Sequence, residues 1–235
     1  MLGLLQIFCW LLPPSRLKNA LLRRFGHQIS TTASVGPILV SGVARFEIGE
    51  GARINPFNVF KDLSLARLDE GAWIASWNWV SAAPEFQQID PQAGTLHVQR
   101  GGKIGSRNYL DCSGTIIVRE YGWVGGNRVY MQTHEPDLEK CSQTVGRIVI
   151  GHHALVSSCA VLLKGAYLPD QSILETNSTM LATSSDGRRG VYAGSPATWK
   201  GETRGEWFQR TGLVMTEHII DEPMGPDREG SALPE

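Results

Sequence analysis

Cysteine is scarce and scattered in this sequence. Its four copies, Cys9, Cys112, Cys141 and Cys159, form no Cys-x-x-Cys pair, so the chain offers neither a zinc knuckle nor a disulfide framework, and the thiols read as reduced. An excess of charge of one sign is also lacking. With 22 Lys and Arg against 23 Asp and Glu, the formal net charge is −1, which leaves no basic surface for nonspecific binding to nucleic acid. No hydrophobic run is long enough for a bilayer: the apolar stretch over residues 1–12 falls short of the ~20 residues that a spanning helix needs. It has no basic residues before it and no small-residue cleavage site after it, which fits a signal peptide poorly. Neither a P-loop nor a dinucleotide-binding glycine fingerprint is present.

What the sequence has is a period of six. Ile150, Val156, Leu162, Leu168, Leu174 and Met180 fall every sixth residue, and Ala154, Ala160, Ala166, Ser172 and Ser178 stand two places before the last five. A helix repeats every 3.6 residues and a strand every 2, so neither accounts for the spacing. Each hexad fits one flat side of a prism. The aliphatic residue points to the axis, the small residue lets the chain turn the corner, and three hexads close a coil. Such repeats mark a parallel β-helix, in which each coil buries its apolar rail against its neighbours. The 26 glycines and 12 prolines suit a chain with many corners, and 42% apolar with 19% charged residues suits one soluble domain.

The repeat starts weakly at Ile29 and Val35. It is clear at Ile48, Ile54 and Phe60, at Leu68, Ile74 and Val80, at Val98, Ile104 and Leu110, and at Val118, Val124 and Tyr130. Steps of eight separate Phe60 from Leu68 and Leu110 from Val118, so the middle coils are longer on one side. Two stretches break the pattern. Residues 82–95, with Pro84, Pro91 and Gly94, read as an external loop, and residues 135–147 as a second excursion. Trp73, Trp77, Trp79, Phe86 and Trp123 are too bulky to share a narrow axis. Those that face outward meet a neighbouring subunit or a substrate, with subunit contact favoured.

Residues 1–28 read as an apolar and basic N-terminal segment, 29–201 as the prism and 202–235 as a tail. Leu17, Ala20, Leu21, Leu22 and Phe25 trace the apolar side of a short helix, with Ser15 as its cap and Arg16, Lys18, Arg23 and Arg24 as a basic face. Such a helix covers the open end of the prism, as repeat folds require, or rests on an anionic lipid surface. In the tail, Trp207 and Phe208 begin an apolar stretch, and Leu213, Val214, Ile219 and Ile220 suit a short helix or strand. The acidic, proline-rich end beyond Asp221 is expected to be disordered.

The hexads stop at His134. A histidine at a corner beside an excursion is open to substrate, and its ordinary pKa suits proton transfer near neutrality. An idle surface histidine fits the pattern as well. Glu135 and Asp137 read as a solvated loop. His152 and His153 should point in opposite directions on a strand, so at most one joins His134, and no metal site is expected.

The segments VGGNRVYMQTHEPD, GRIVIGHHALVSSCAVLLKGAYLPDQSILETNSTM and VYAGSPATWK resemble those of the hexapeptide-repeat acyltransferases, in particular the O-acetyltransferases of sugars and bacterial polysaccharides. The resemblance covers Ile104 to Lys200 and extends more weakly back to Leu17. It implies a left-handed parallel β-helix, the hand coming from the family and not from the repeat. It also implies a homotrimer, and acetyl-CoA as co-substrate for transfer to a carbohydrate hydroxyl in polysaccharide or glycoconjugate biosynthesis. The expected location is cytoplasmic, at the inner face of the membrane if the N-terminal segment touches lipid.

In the resemblance His134 matches the general base. Asp111, within IGSRNYLDCSG, stands where many sugar acetyltransferases carry asparagine. A carboxylate there orients His134 or binds a hydroxyl, but it cannot donate to an oxyanion when ionised. Ser157, Ser158, Thr176 and Asn177 match small residues along the coenzyme groove, although a corner role explains them equally. Leu181-Ala182 replaces the family's usual Thr-Lys, leaving Arg188, Arg189 or Lys200 to meet the coenzyme phosphates. No serine or cysteine is paired with a base, so direct transfer is expected. Two other readings stand beside the enzyme: a non-catalytic hexapeptide-repeat scaffold of a polysaccharide assembly complex, and a zinc lyase like the hexapeptide-repeat carbonic anhydrases, disfavoured by the absence of a His-x₄-His pair.

Overall fold

The computed structural model describes residues 2–211; Leu213, Val214, Ile219, Ile220 and the acidic end lie outside the described residues. Two helices, α1 (Leu2–Leu11) and α2 (Arg16–Arg24), precede a three-sided prism of short strands. The first face stacks seven strands, from Gln28–Ile29 to Tyr167–Leu168. The second stacks nine, from Ser34–Val35 to Ala197–Gly201, and the third seven, from Leu39–Ser41 to Thr179–Met180. Strands of successive coils pair in parallel, as in the pairing of Arg45–Ile48 with Leu65–Leu68. The exceptions are two antiparallel hairpins, one that ends the prism (Val191–Gly194 with Ala197–Gly201) and one that leaves it (His134–Asp137 with Ser142–Val145). The chain is therefore a parallel β-helix.

The six-residue rail forms the axis. Ile48, Leu68, Val98, Val118, Ile150 and Leu168 lie in register on the first face, and none is more than 3% exposed. Burial of one such side chain contributes roughly 1.5–3 kcal/mol, so each coil is held mainly by its rail. The longer middle coils have a definite location. Their first-face strands are four residues long and carry two inward residues each, Phe46 with Ile48, Leu96 with Val98, Ile116 with Val118 and Ile148 with Ile150. The corner residues Ala154, Ala160, Ala166, Ser172 and Ser178 are buried. The last two also accept backbone N–H groups of the terminal coil, from Gly190 at 3.0 Å and Gly194 at 3.1 Å.

One rail position differs from expectation. Tyr130 is 36% exposed and stacks on Tyr109, while Met131 is fully buried in its place. Ile104 pairs with Val124 but Tyr109 pairs with Tyr130, so the corner at Gly125–Gly126–Asn127 holds one residue more than the coil before it. The alternation of the next strand is thereby shifted. That same corner column is left-handed in backbone: Phe57, Trp77, Arg107, Arg128, Cys159 and Asn177 have φ between 57° and 69°. Buried asparagines beside it offset the cost of this conformation. Asn58 accepts the N–H of Asn78 at 2.8 Å, Asn78 that of Asn108 at 2.9 Å, and Asn108 that of Val129 at 2.9 Å.

Ser15 caps α2 as expected, accepting the Lys18 N–H at 3.1 Å. Lys18 itself does not belong to the basic face. It is fully buried, and its ammonium donates at 2.8–3.0 Å to the carbonyls of Trp10, Leu12, Val35 and Gly36, so it ties both helices to the first coil. Burial lowers its pKa to about 8, which leaves it mostly protonated at neutrality. Leu22 is buried against the open end of the prism. Among the described residues no helix is long and apolar enough to cross a membrane.

Candidate active site

His134 follows the third-face strand Tyr130–Gln132 and opens the excursion hairpin. Strand alternation puts Met131 and Thr133 inward, both fully buried, and leaves the His134 side chain one-third exposed. One coil below, Asp111 ends the strand Tyr109–Asp111 and pairs in register with Gln132. The two side chains meet: His134 Nδ1 lies 2.6 Å from Asp111 Oδ2.

The carboxylate is surrounded by donors. Oδ2 also accepts the Thr133 N–H at 3.1 Å, and Oδ1 accepts the N–H of Ser113 at 3.0 Å and its hydroxyl at 2.5 Å. Such an environment suits an ionised, acceptor-only side chain. It assigns the His134 proton to Nδ1 and leaves Nε2 as the lone-pair nitrogen. Among the described residues nothing is hydrogen-bonded to Nε2.

Thr133, Ser113 and Gly114, which the sequence does not mark, support this pair, together with Phe86, which it marks only as one of the bulky aromatics. Thr133 Oγ1 donates to the Asp111 carbonyl at 2.9 Å and accepts the Gly114 N–H at 2.7 Å. Gly114 lies against the end of the excursion, and a Cβ there would meet the Gly146 carbonyl oxygen at 1.9 Å. The external loop is anchored to the dyad as well: the Ala83 N–H donates to Ser113 Oγ at 3.0 Å. The loop contains a short 3₁₀ turn over Pro84–Gln88, and Phe86 is buried with its ring 5.6 Å from that of His134. Phe86 thus does not face outward with Trp77 and Trp79, which are 58% and 43% exposed. The legible signal was the alternation that makes Thr133 an inward polar residue.

Glu135 and Asp137 point away from the dyad's chemistry. Glu135 pairs with Lys164 at 2.7 Å, and Asp137 accepts the Lys140 N–H at 3.0 Å. Cys112, next to Asp111, is fully buried, and burial first, then the neighbouring carboxylate, push its thiol pKa well up. It is unsuited to act as a nucleophile.

Ser157, Ser158 and Thr176 share a groove of about 320 Å³ with Trp123, Gly125, Gly126 and Trp207. The extra residue of the Gly125–Asn127 corner forms one lip. Gly126 there passes so close to the next coil that a Cβ would meet the Ser158 backbone at 2.2 Å. The other wall is a stack of Trp207 on Trp123, ring centroids 5.2 Å apart, with the Lys103 ammonium 4.6 Å from the Trp123 ring. Asn177 is exposed at the neighbouring corner and Lys200 on the closing hairpin, and neither lines this groove. Arg188 and Arg189 are held by Asp186 at 2.7 Å and by Gln171 at 2.8 Å. His153 bonds the Arg210 carbonyl at 2.7 Å. Among the described residues no group of three or more His, Cys, Asp or Glu side chains is placed to hold a metal.

No family model and no curated protein matches the sequence. Solved structures do match. A mutant of AntD, an N-acyltransferase from Bacillus cereus solved with dTDP and coenzyme A, is 12% identical, with a TM-score of 0.44, over 79% of this chain and 89% of that one. The polysialic acid O-acetyltransferase OatWY is 18% identical, with a TM-score of 0.46, over 84% of this chain and 90% of that one. The polySia-specific acetyltransferase NeuO is 12% identical, with a TM-score of 0.36, over 74% and 88%. The chain, a parallel β-helix by its own strand pairing, is similar to structures of an N-acyltransferase and of polysialic acid acetyltransferases.

Proposed function

We propose that the chain is an acetyl-CoA-dependent O-acyltransferase that acts on a carbohydrate hydroxyl, with His134 as general base and Asp111 orienting it. One observation carries the reading: Asp111 fixes the Nδ1 proton of a histidine whose opposite nitrogen is open at a corner of the prism. Nε2 takes the proton of the acceptor hydroxyl as its oxygen bonds to the thioester carbonyl carbon. The tetrahedral intermediate then breaks its C–S bond, the acetyl group stays on the acceptor oxygen, and the departing thiolate recovers the proton from Nε2. Assistance of this kind is worth ~10²–10⁴-fold in rate.

The coenzyme and the acceptor class follow the motif resemblance. The groove beside Ser157, Ser158 and Thr176 supports it, because small side chains and an apolar wall suit a narrow flexible arm. Asn177 and Lys200, exposed outside that lining, are assigned to more distal parts of the coenzyme. A homotrimer belongs to the same proposal. It is supported by the exposed stacks of Phe57 on Trp77 at 4.7 Å and Tyr109 on Tyr130 at 5.5 Å, which a neighbouring prism would cover.

Thermal unfolding with acetyl-CoA tests the donor site before any acceptor is known. A ligand that binds only the folded state adds about 2.7 kcal/mol at a hundredfold excess over Kd, a rise of several degrees for a chain of this size. The expected result is that rise with acetyl-CoA and none with an unrelated adenine nucleotide, followed by release of free CoA when carbohydrate acceptors are supplied. No shift at millimolar acetyl-CoA makes the non-catalytic scaffold the better reading.

A further inference from the structure

The end of the prism that carries the two helices differs from the rest of the molecule in charge and in covering. The first 46 residues contain no aspartate or glutamate and five cations, Arg16, Lys18, Arg23, Arg24 and Arg45. Formal charge is therefore +5 in this stretch and −6 in the remainder, since 17 of the 22 cations and all 23 acids lie beyond it. Lys18 is consumed internally, whereas Arg16, Arg23 and Arg24 are exposed.

The uncovered surface of α1 is apolar. Cys9 and Trp10 pack onto the prism, while Leu5, Ile7, Phe8, Leu11 and Leu12 are 40–65% exposed, and α1 has no charged residue. On α2, Leu17 is 68% exposed beside Arg16. At 100° per residue, the exposed positions 16, 17, 23 and 24 fall on one side of that helix with the half-buried positions 20 and 21, and the buried positions 18, 19 and 22 on the other. Arg23 shares a cleft with Glu47 and Asp69, which leaves Arg16 and Arg24 as the cations beside the apolar surface. An apolar helix face rimmed by arginines has the two attributes of an interfacial segment: hydrocarbon area to bury and cations to meet lipid phosphates. A ten-residue helix spans only ~15 Å, too short to cross and long enough to lie in the headgroup plane.

We infer that this end cap is a membrane-docking surface for anionic bilayers. α1 and the start of α2 insert Leu5, Phe8, Leu11, Leu12 and Leu17 below the headgroups, and Arg16 and Arg24 pair with lipid phosphates. The fit to an anionic bilayer, and not to a second copy of this chain, rests on charge: two such helix pairs brought together would oppose Arg16 and Arg24 to their own copies, and neither helix carries a carboxylate to offset them. With the cap on the surface the coils stack outward from it. The third-face strand that precedes His134 is fifth from that end, so the dyad stands about four strand spacings, roughly 19 Å, above the first coil.

The test is co-sedimentation of the full chain with vesicles of phosphatidylcholine alone and with 30% phosphatidylglycerol, at low and high salt. The expected result is sedimentation with the anionic vesicles that weakens with salt. Replacing Arg16 and Arg24 by glutamine removes two surface cations and should lower the partition coefficient about thirtyfold, at ~1 kcal/mol per charge. Phe8→Asp should lower it more than tenfold. The thermal midpoint reports whether either variant has disturbed the fold, and a conservative Phe8→Leu variant should retain binding. Absence of binding to anionic vesicles overturns the inference. So does a doubling of the wild-type oligomer in solution that Phe8→Asp reverses, because the face would then belong to a second copy.

Discussion

Asp111→Asn is the perturbation most specific to the dyad, because it changes one oxygen to an amide nitrogen and almost nothing in size. Both carboxylate oxygens face donors, Ser113 N–H and hydroxyl on one side, His134 Nδ1 and Thr133 N–H on the other. An amide that turns its NH₂ toward Ser113 leaves a buried backbone donor facing a donor. One that turns it toward His134 leaves Thr133 N–H unpaired and forces the imidazole into the tautomer with its proton on Nε2. Either orientation leaves one buried group unsatisfied, at about 1–3 kcal/mol. For a chain of this size that lowers the thermal midpoint by roughly 2–12 °C. The second orientation abolishes the base, and the first removes the negative charge that stabilises the imidazolium. Loss of kcat should reach ~10²–10⁴-fold.

The assay is release of free CoA thiol from acetyl-CoA with a responsive carbohydrate acceptor, for wild type, Asp111→Asn, His134→Ala and the double variant. If Asp111 acts through His134, the double variant is no slower than His134→Ala alone, as for residues that act as a unit. Losses that multiply would give Asp111 a separate role. A folded His134→Ala protein with wild-type turnover would refute the mechanism altogether.

Lys18→Met should lower the thermal midpoint by roughly 10 °C, since at least three buried carbonyls lose their donor at about 1 kcal/mol or more each; an unchanged midpoint would remove Lys18 as the tie between helices and prism. The same residue gives a pH dependence. Its folded pKa of about 8 lies below the ordinary value of 10.5, so unfolding takes up a proton between these values and stability gains from rising pH there. The free-energy difference between wild type and Lys18→Met, from urea titrations, should widen from pH 8 to 10.5 and stay level below pH 7. Gly126→Ala pushes a methyl group into the Ser158 backbone and should weaken the acetyl-CoA-induced thermal shift while the dyad remains. Unaltered coenzyme binding in a folded Gly126→Ala protein would remove the groove from the donor site.

The candidate dyad was half visible in the chain. His134 is marked by the point at which hexads stop, and Asp111 by its place in a motif. Their contact is not readable, because 22 residues separate them and the pairing of Asp111 with Gln132 depends on how many residues each intervening corner holds. The Tyr130 error has the same origin. One extra residue between Gly125 and Asn127 moves the rail to Met131, because a corner absorbs an insertion without altering the spacing of the hexads on either side. Lys18 differs for another reason: its charge groups it with Arg16, Arg23 and Arg24, and only packing against the first coil shows that four carbonyls converge on its ammonium.

The sequence by itself determined the β-helix, its apolar rail except at Tyr130, and the positions of its two excursions. These depend on local spacing: an aliphatic residue every six places and a small residue before it can bury a continuous core in one way only when coils stack. Tertiary structure alone decided which polar side chains meet. It brought His134 to Asp111, Phe86 under the imidazole, Gly126 against Ser158, and Lys18 into the cap. Those contacts join residues of different coils, where proximity is set by the summed length of corners and loops and by burial, and neither quantity is carried by any single stretch of chain.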